Sequence, residues 1–337
     1  GPAQPDWSGT GWETGSEECG MGAFNNRFFD TGVEDSYILG PFCFNSCENC
    51  ETPNMSLSFN GSNTYVNVPP GDDLVVQNES MSISAWVKVQ SNHSSTYGCL
   101  IGGWNNYGYM LYVGSNEPSY GGSITFQGKS NNGNNIFSSK LQGSTDLRDN
   151  QWHYITATTN GATGKVYVDG VLEASQQVDS EINSQNGGDP LYIGNGNHQN
   201  VSEYFPGLVD RIEIWDYARS EQEIQEEMYA DLIGYEDGLV SLWNFNEGDG
   251  DLTYDQTGNN NVATVYNGSW SNDFPLPPHT GPEWYVSEDG SDENNGSANY
   301  PFATIQNAIN SANENDSIFV GSGTYFENIN FNGKGVG

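Results

Sequence analysis

The sequence predicts an all-β protein built as an antiparallel jelly-roll sandwich, and two observations support this fold class. Between residues 54 and 274, short runs alternate apolar and polar residues, as in SMSISAWVKV at residues 80–89 and QWHYITATT at residues 151–159. Turn residues separate these runs at intervals of about 10–20 residues, and hairpin turns are expected at residues 159–164 and 168–170. Many short strands with frequent turns are typical of sandwiches and jelly rolls.

Changes in composition divide the chain into four segments. Residues 1–53 form a cysteine-rich segment, residues 54–274 the jelly roll, residues 275–283 a proline-rich linker, and residues 284–337 a different unit. In the last unit Ile305, Ala308, Ile309 and Ala312 share one helical face, and short strands with tight turns follow. This order predicts the first coil or coils of a parallel β-helix. Because a solenoid needs about three or more coils, we expect the sequence to be part of a longer protein.

Four of the five cysteines are crowded into the first segment. Such crowding predicts disulfides and an oxidising compartment, with Cys19–Cys43 and Cys47–Cys50 as the favoured pairs among three connectivities. A zinc site formed by Cys43, Cys47 and Cys50 is the alternative. Cys99 is predicted to be a buried thiol.

The charge of the chain restricts its partners. Only 9 Lys and Arg residues stand against 44 Asp and Glu residues, for a formal net charge of −35. This balance excludes nucleic acid and anionic membrane surfaces as partners, and favours divalent cations and neutral or cationic molecules. No apolar run is long enough to insert in a membrane.

Residues 205–224, FPGLVDRIEIWDYARSEQEI, are predicted to close the sandwich. Leu208, Ile212 and Ile214 are expected to face the core, and Asp210, in the same phase, is the one acid expected on this inward side. Ser220 and Glu223 then form a capping box that opens a short helix over residues 221–229.

Three passages in order resemble the LamG-like, concanavalin A-type jelly-roll family: SLSFNGSNTYVNV, QWHYITATTNGATGKVYVDGVL and FPGLVDRIEIWDYARSEQEIQ. The sequence departs from the family pattern where Asn60, Asn63 and Thr64 replace aspartates. The passages YVSEDGSDENNG, PFATIQNAI and IFVGSGTYFENI resemble the start of right-handed parallel β-helix proteins of the pectin-lyase-like superfamily. Secreted Bacteroidota surface proteins join these modules, so the resemblance implies an exported, secreted or cell-surface protein.

Calcium is the expected cofactor. The resemblance implies that Asp210 is a Ca²⁺ ligand, with Asn60 and Asn63 contributing oxygens, which are the ligands that this cation prefers. The alternative is that Asp210 pairs with Arg211 or caps a turn.

Glycan binding is the expected activity, because aromatic faces together with amides hold sugars. The candidate residues lie in the passages WNNYGYMLY and GNGNHQNVSEYF: Trp104, Tyr107, Tyr109, Asn197, His198 and Tyr204. The competing interpretation is that these aromatics belong to the core. His153 is predicted to be a packed histidine.

The sequence carries no ExDxxE, GxSxG or HExxH motif, so no catalytic residues are assigned. The leading hypothesis is therefore a secreted, calcium-stabilised adhesion or carbohydrate-binding module whose partners are glycans or a cell-surface protein. A further hypothesis is that the chain forms homo-oligomers through the N-terminal segment or the β-helix. The alternatives are the non-catalytic part of a polysaccharide lyase or hydrolase whose active β-helix lies beyond residue 337, or a structural subunit of an extracellular filament.

Overall fold

The computed structural model describes residues 54–71, 74, 79–103, 108–130, 132–182, 190–196, 203–259 and 261–334. The predictions for residues 1–53, including the disulfides of Cys19, Cys43, Cys47 and Cys50, lie outside the described residues. Cys99 is buried and forms no disulfide among the described residues, as predicted.

Two antiparallel sheets form the body of the described chain, which confirms the predicted all-β sandwich. The strands in chain order are β1 (Ser56–Asn60), β2 (Tyr65–Val68), β3 (Ser80–Val89), β4 (Cys99–Gly102), β5 (Tyr109–Tyr112), β6 (Thr125–Gly128), β7 (Leu141–Gln142), β8 (Trp152–Asn160), β9 (Thr163–Val168), β10 (Val171–Gln177), β11 (Leu191–Ile193), β12 (Pro206–Trp215), β13 (Leu239–Trp243), β14 (Leu252–Thr253), β15 (Ala263–Tyr266) and β16 (Ser269–Ser271). The first sheet has the order β10-β9-β8-β3-β12-β1-β16, with β13 also paired to β12. The second sheet has the order β14-β15-β2-β11-β4-β5-β6-β7.

The core lies between the two sheets and follows the alternation of the sequence. In β3, Met81, Ile83, Ala85, Val87 and Val89 all point inward and are at most 2% exposed. The facing strands of the second sheet contribute aliphatic and aromatic residues from alternate positions, which fits one face of each sheet being buried.

A β-bulge in β12 changes the predicted direction of its first residues. The register with β3 shifts between Asp210 and Ile212, and Arg211 takes the left-handed φ of 43°. As a result Val209 and Ile212 both face the core, whereas Leu208 is only half-buried on the outer side. The predictions that Leu208 and Asp210 face inward were therefore wrong, because the extra residue in the bulge reverses the alternation on its N-terminal side.

Helix α1 (Glu221–Glu227) follows β12 and packs on the outer face of the first sheet. The predicted capping box is confirmed: the Ser220 side chain accepts from the Glu223 N–H, and the Glu223 carboxylate accepts from the Ser220 N–H. Ile224 is fully buried and packs with Trp86, Tyr154 and Tyr167, which attaches the helix to the sheet.

The C-terminal unit contains a parallel ladder. Strands β17 (Glu283–Val286) and β18 (Ser317–Val320) pair in parallel, and helix α2 (Ile305–Ser311) lies between them in sequence. The predicted face of α2 packs against Trp284, Val286 and Phe302. The assignment of this unit to a β-helix, like the bounds of the four segments, stays a prediction.

The segment of residues 324–334 runs along α2 and forms hydrogen bonds with both ends of the helix. The Glu327 carboxylate accepts from the N–H groups of Ile305 and Gln306, both at 2.8 Å. At the other end the Lys334 ammonium donates to the carbonyls of Ile309 and Ala312, both at 2.6 Å. These charges match the helix dipole at each end.

The two helices of the described ranges have seven residues each, far fewer than a bilayer requires.

Candidate functional site

The outer face of the second sheet carries a group of tyrosines that the strand pairing brings together. In β2, Val66 faces the core, so Tyr65 and Asn67 face outward. The register places Tyr192 of β11 and Thr264 of β15 on either side of Asn67.

The same register places Tyr266 of β15 opposite Tyr65. Tyr204 precedes β12 and pairs through an isolated bridge with Cys99 at the start of β4. We call Tyr65, Tyr192, Tyr204 and Tyr266 the tyrosine platform.

The Tyr65 ring contacts the rings of Tyr266 and Tyr192, and all four platform tyrosines remain at least partly accessible to solvent. The ring centroids of Tyr65 and Tyr266 are 4.7 Å apart with near-parallel planes, and those of Tyr65 and Tyr192 are 5.9 Å apart. Tyr266 is 41% exposed, and the other three are half-buried. Burial, followed by the neighbouring Tyr266 and Tyr204, raises the pKa of Tyr65. The Tyr65 phenol is therefore protonated and neutral near pH 7.

The outward positions of the platform strands carry no charge. The outward positions of β2, β11, β14 and β15 are Tyr65, Asn67, Tyr192, Leu252, Thr264 and Tyr266. None of these side chains is charged, although the chain has 44 acidic residues. Aromatic faces beside an amide and hydroxyl groups are the groups that bind sugars through ring stacking and hydrogen bonds.

Of the six sequence-predicted glycan residues, Tyr204 lies in the platform. Tyr109 is fully buried in the core, and its hydroxyl donates to the Leu74 carbonyl at 3.2 Å, so it offers no ring face to a ligand. Trp104, Tyr107, Asn197 and His198 lie outside the described residues.

Sequence reasoning missed Tyr65, Tyr192 and Tyr266. Each one alternates with a core residue, in YVNV, LYI and ATVY, so the phase of its strand indicates an outward side chain. That signal was available, but it does not show that three strands place these residues side by side.

The residues predicted to bind calcium are only partly brought together. Asn60 and Asn63 touch, with the Asn60 amide donating to Asn63 Oδ1 at 2.6 Å. The Asn60 Oδ1 atom accepts from the N–H groups of Ser62 and Asn63, at 2.9 and 3.0 Å. Pro206 pairs with Asn60 and lies four residues before Asp210, so Asp210 is about 13 Å away along the strand.

Across the described ranges, His, Cys, Asp and Glu side chains form no group of three that could hold a metal ion. The calcium assignment stays a prediction.

A buried ionic network on the outer face of the first sheet is separate from the platform. The Glu213 carboxylate accepts from Tyr154 Oη and Trp215 Nε1, both at 2.9 Å. It also pairs with Arg211 at 2.8 Å and Arg219 at 3.1 Å.

The network holds α1 in place. The side chains of Glu213 and Arg219 are 1% and 0% exposed, so a ligand has no access to them. Arg211 also donates to the carbonyls of Met228 and Ala230 just after α1. The network therefore joins α1 to the sheet and provides no binding surface.

His153 packs in β8 between two carboxylates. Its Nδ1 atom is 2.8 Å from Asp169 Oδ2, and its Nε2 atom is 3.2 Å from Asp149 Oδ2. The hydrogen bond to Asp169 raises the pKa of His153 above its ordinary value. Its stabilising contribution is thus complete below about pH 6.5, the usual histidine value, and is lost as pH rises through the raised folded pKa.

We expect His153→Gln to lower the free energy of unfolding by about 1 kcal/mol at acidic pH and by less at alkaline pH, because only the imidazolium makes two charge-assisted contacts. Urea denaturation at about pH 5.5 and about pH 8.5 measures the difference. A loss that is equal at both pH values would contradict this role.

Comparisons with known proteins agree with the fold. Residues 60–225 match the protein family described as the concanavalin A-like lectin/glucanases superfamily, and residues 288–331 match a family described as a protein of unknown function (DUF1565). A 93-residue stretch is 31% identical to the rat (Rattus norvegicus) sushi, von Willebrand factor type A, EGF and pentraxin domain-containing protein 1. That match covers 26% of this chain and 3% of the rat protein.

Two of the solved structures that match this chain are as follows. The first is a "putative carbohydrate binding protein" from Bacteroides ovatus, with a TM-score of 0.53 and 18% identity, covering 66% of this chain and 61% of that one. The second is the heptameric SAP-like pentraxin of Limulus polyphemus, with a TM-score of 0.39 and 14% identity, covering 52% of this chain and 82% of that one. Residues 60–225 thus match the concanavalin A-like lectin/glucanase superfamily, and the two-sheet body of the chain is a jelly-roll sandwich.

Proposed function

We propose that this chain is a carbohydrate-binding module of a secreted, cell-surface protein, and that the tyrosine platform is its glycan site. The observation that carries this proposal is an exposed aromatic face without charged side chains, on a chain whose net charge is −35. Acids, which help to keep the chain soluble, are absent from the outward positions of these described strands.

The geometry of the platform suits the binding of a sugar ring. Tyr266 exposes part of its ring while its other face is stacked on Tyr65, so the ring is held at a fixed angle before a ligand arrives. Asn67 lies within the same group and supplies amide donors and acceptors beside the rings. Rings that are ordered before binding reduce the entropic cost of association.

The superfamily matched by residues 60–225 has lectins in its description, and the Bacteroides ovatus structure is described as carbohydrate binding. These descriptions support glycan binding as the proposed activity.

The proposed module is non-catalytic. Glycoside hydrolysis needs two carboxylates roughly 5–10 Å apart at the site. The outward positions of the platform strands carry none, and the buried carboxylate of Glu213 lies on the other sheet beneath α1.

A glycan array probed with the wild-type chain tests the proposal, with Tyr266→Ala as the platform variant. Tyr285→Ala is the matched control, because Tyr285 is likewise stacked on an aromatic ring, that of Phe319 at 5.2 Å, but lies in the C-terminal unit. We expect binding that Tyr266→Ala weakens and Tyr285→Ala retains. Absence of binding to any glycan, or equal loss in both variants, would contradict the proposal.

Calcium stabilisation through Asp210 is a further part of the proposal. Burial raises the pKa of Asp210 to about 7, with Arg211 opposing the shift. Because the folded pKa of Asp210 exceeds its unfolded pKa, the contribution of this carboxyl group to stability is greatest at acidic pH. That contribution falls as pH rises toward about 7. A bound cation would favour the ionised carboxylate and offset this loss.

We expect calcium at one hundred times its Kd to add about 2.7 kcal/mol to the stability of the wild type at pH 8, and Asp210→Asn to abolish this gain. Without calcium, Asp210→Asn should be more stable than the wild type at pH 8 and similar to it near pH 4. Thermal melting with calcium or EDTA checks both statements. A calcium-dependent shift that persists in Asp210→Asn would place the ion elsewhere.

A further inference from the structure

We infer that the tyrosine platform selects neutral glycans and rejects glycans that carry carboxylate or sulfate groups. This inference rests on the proposed glycan-binding function and names the class of ligand. Three features of the described residues carry it: the positions of the cations, the positions of the nearest acids, and the electrostatics of the tyrosine rings.

Within the part of the chain that the structure describes, no Lys or Arg lies on the strands of the platform to bind an anionic sugar. Recognition of carboxylate or sulfate requires Arg or Lys donors. Among the described residues, β2, β11, β14 and β15 carry neither. The three described arginines are engaged elsewhere, Arg148 with Asp146 and both Arg211 and Arg219 with Glu213.

The five described lysines are also remote or engaged. Lys165 lies on β9 of the first sheet, and Lys129 directly follows β6, three strand positions from β11. Lys88 pairs with Asp273 on the first sheet, and Lys334 caps α2. Lys140 lies over the Tyr120 ring, 3.4 Å from its centroid, just before β7. Strand β7 is four strand positions from β11, a distance of about 19 Å across the sheet.

Acids adjoin the platform at two points. Glu203 directly precedes Tyr204, and its carboxylate accepts from the Tyr112 hydroxyl at 3.2 Å. Asp251 directly precedes Leu252 at the start of β14. An anionic group bound between these acids would be repelled by both of them and by the net charge of the chain.

The tyrosine rings themselves also favour neutral sugars over anionic ones. The face of an aromatic ring carries negative potential, so it attracts the C–H groups of a sugar and repels an anion. A neutral pyranose therefore meets only favourable contacts at the platform, whereas a uronic acid or sulfated residue meets repulsion with no compensating donor.

The salt concentration distinguishes electrostatic repulsion of an anionic sugar from ring stacking and neutral hydrogen bonding. Electrostatic repulsion reaches about 30 Å at 0.01 M ionic strength and about 3 Å at 1 M, whereas stacking and neutral hydrogen bonds are not screened. Binding of a neutral glycan should therefore hardly depend on salt, and binding of its anionic derivative should strengthen as salt is added.

The test uses a neutral polysaccharide taken from the array and the same polysaccharide oxidised to carboxylates, titrated against the full chain by calorimetry in low and high salt. We expect the carboxylated form to bind at least about 10-fold more weakly at low salt, where screening is minimal, and to recover most of this loss in 1 M salt. The Kd of the neutral form should change less than about twofold.

A charge added at the platform provides a second measurement. Thr264→Lys places a cation beside Asn67, and Ser311→Lys adds the same charge at the exposed end of α2 as a control. We expect only Thr264→Lys to shift the preference toward the carboxylated form. Equal or tighter binding of the carboxylated form by the wild type at low salt would overturn this inference alone. Failure of both forms to bind would instead overturn the proposed function.

Discussion

Glu213→Ala is expected to lower the free energy of unfolding by about 3–5 kcal/mol, the usual cost of removing one partner from a buried ion pair. The Glu213 carboxylate accepts from Tyr154 and Trp215 and pairs with Arg211 and Arg219. Its loss leaves the fully buried guanidinium of Arg219 with the partly exposed Glu227 carboxylate as its remaining counter-charge. The fold would lose the link between β12 and α1.

Urea denaturation measures this change, and two variants control it. Glu213→Gln retains the shape of the side chain but not its charge, so it should be destabilised by less than Glu213→Ala. Glu226→Ala removes an exposed carboxylate on α1 that contacts only Gln222 in the described hydrogen-bond network, and should shift stability by less than about 0.5 kcal/mol. A loss below about 1 kcal/mol for Glu213→Ala would contradict the structural role of the network.

Replacing two platform tyrosines, Tyr192→Ala with Tyr266→Ala, is expected to weaken glycan binding by about 5–150-fold. The estimate takes about 0.5–1.5 kcal/mol for each aromatic contact, and a factor of ten for every 1.4 kcal/mol. Stability should change much less than affinity, because Tyr266 is 41% exposed and Tyr192 is half-buried on the outer face.

Calorimetric titration with an array-selected glycan measures this loss, and Tyr285→Ala is again the matched control. Unchanged affinity in the double variant would exclude the platform as the binding site. A parallel loss in Tyr285→Ala would indicate a general effect on folding, which thermal melting of each variant would reveal.

Features that depend on neighbouring residues could be predicted from the sequence. The alternation of β3 is continuous over ten residues, so its core side was evident. The capping box of Ser220 and Glu223 spans three residues and needs no tertiary information. The order of three motifs then indicated the jelly roll that the structure has.

Features that depend on strand register could not be predicted. Tyr65, Tyr192 and Tyr266 are far apart in sequence and meet only through the pairing of β2 with β11 and β15. The bulge at Arg211 has no local signal, because its residues read as a regular strand. Strand β5 is buried on both sides, so it has no polar alternation to show that Tyr109 faces the core.

Nuclear magnetic resonance of the chain with isotope-labelled tyrosine rings shows whether the platform itself contacts the glycan. Signals are assigned with single Tyr→Phe variants, and the array-selected glycan is then titrated. We expect the ring signals of the four platform tyrosines, Tyr65, Tyr192, Tyr204 and Tyr266, to shift in a saturable way. The signals of Tyr285 and the exposed Tyr235 should not shift. Saturable shifts that leave all four platform tyrosines unchanged would contradict binding of the glycan at the platform.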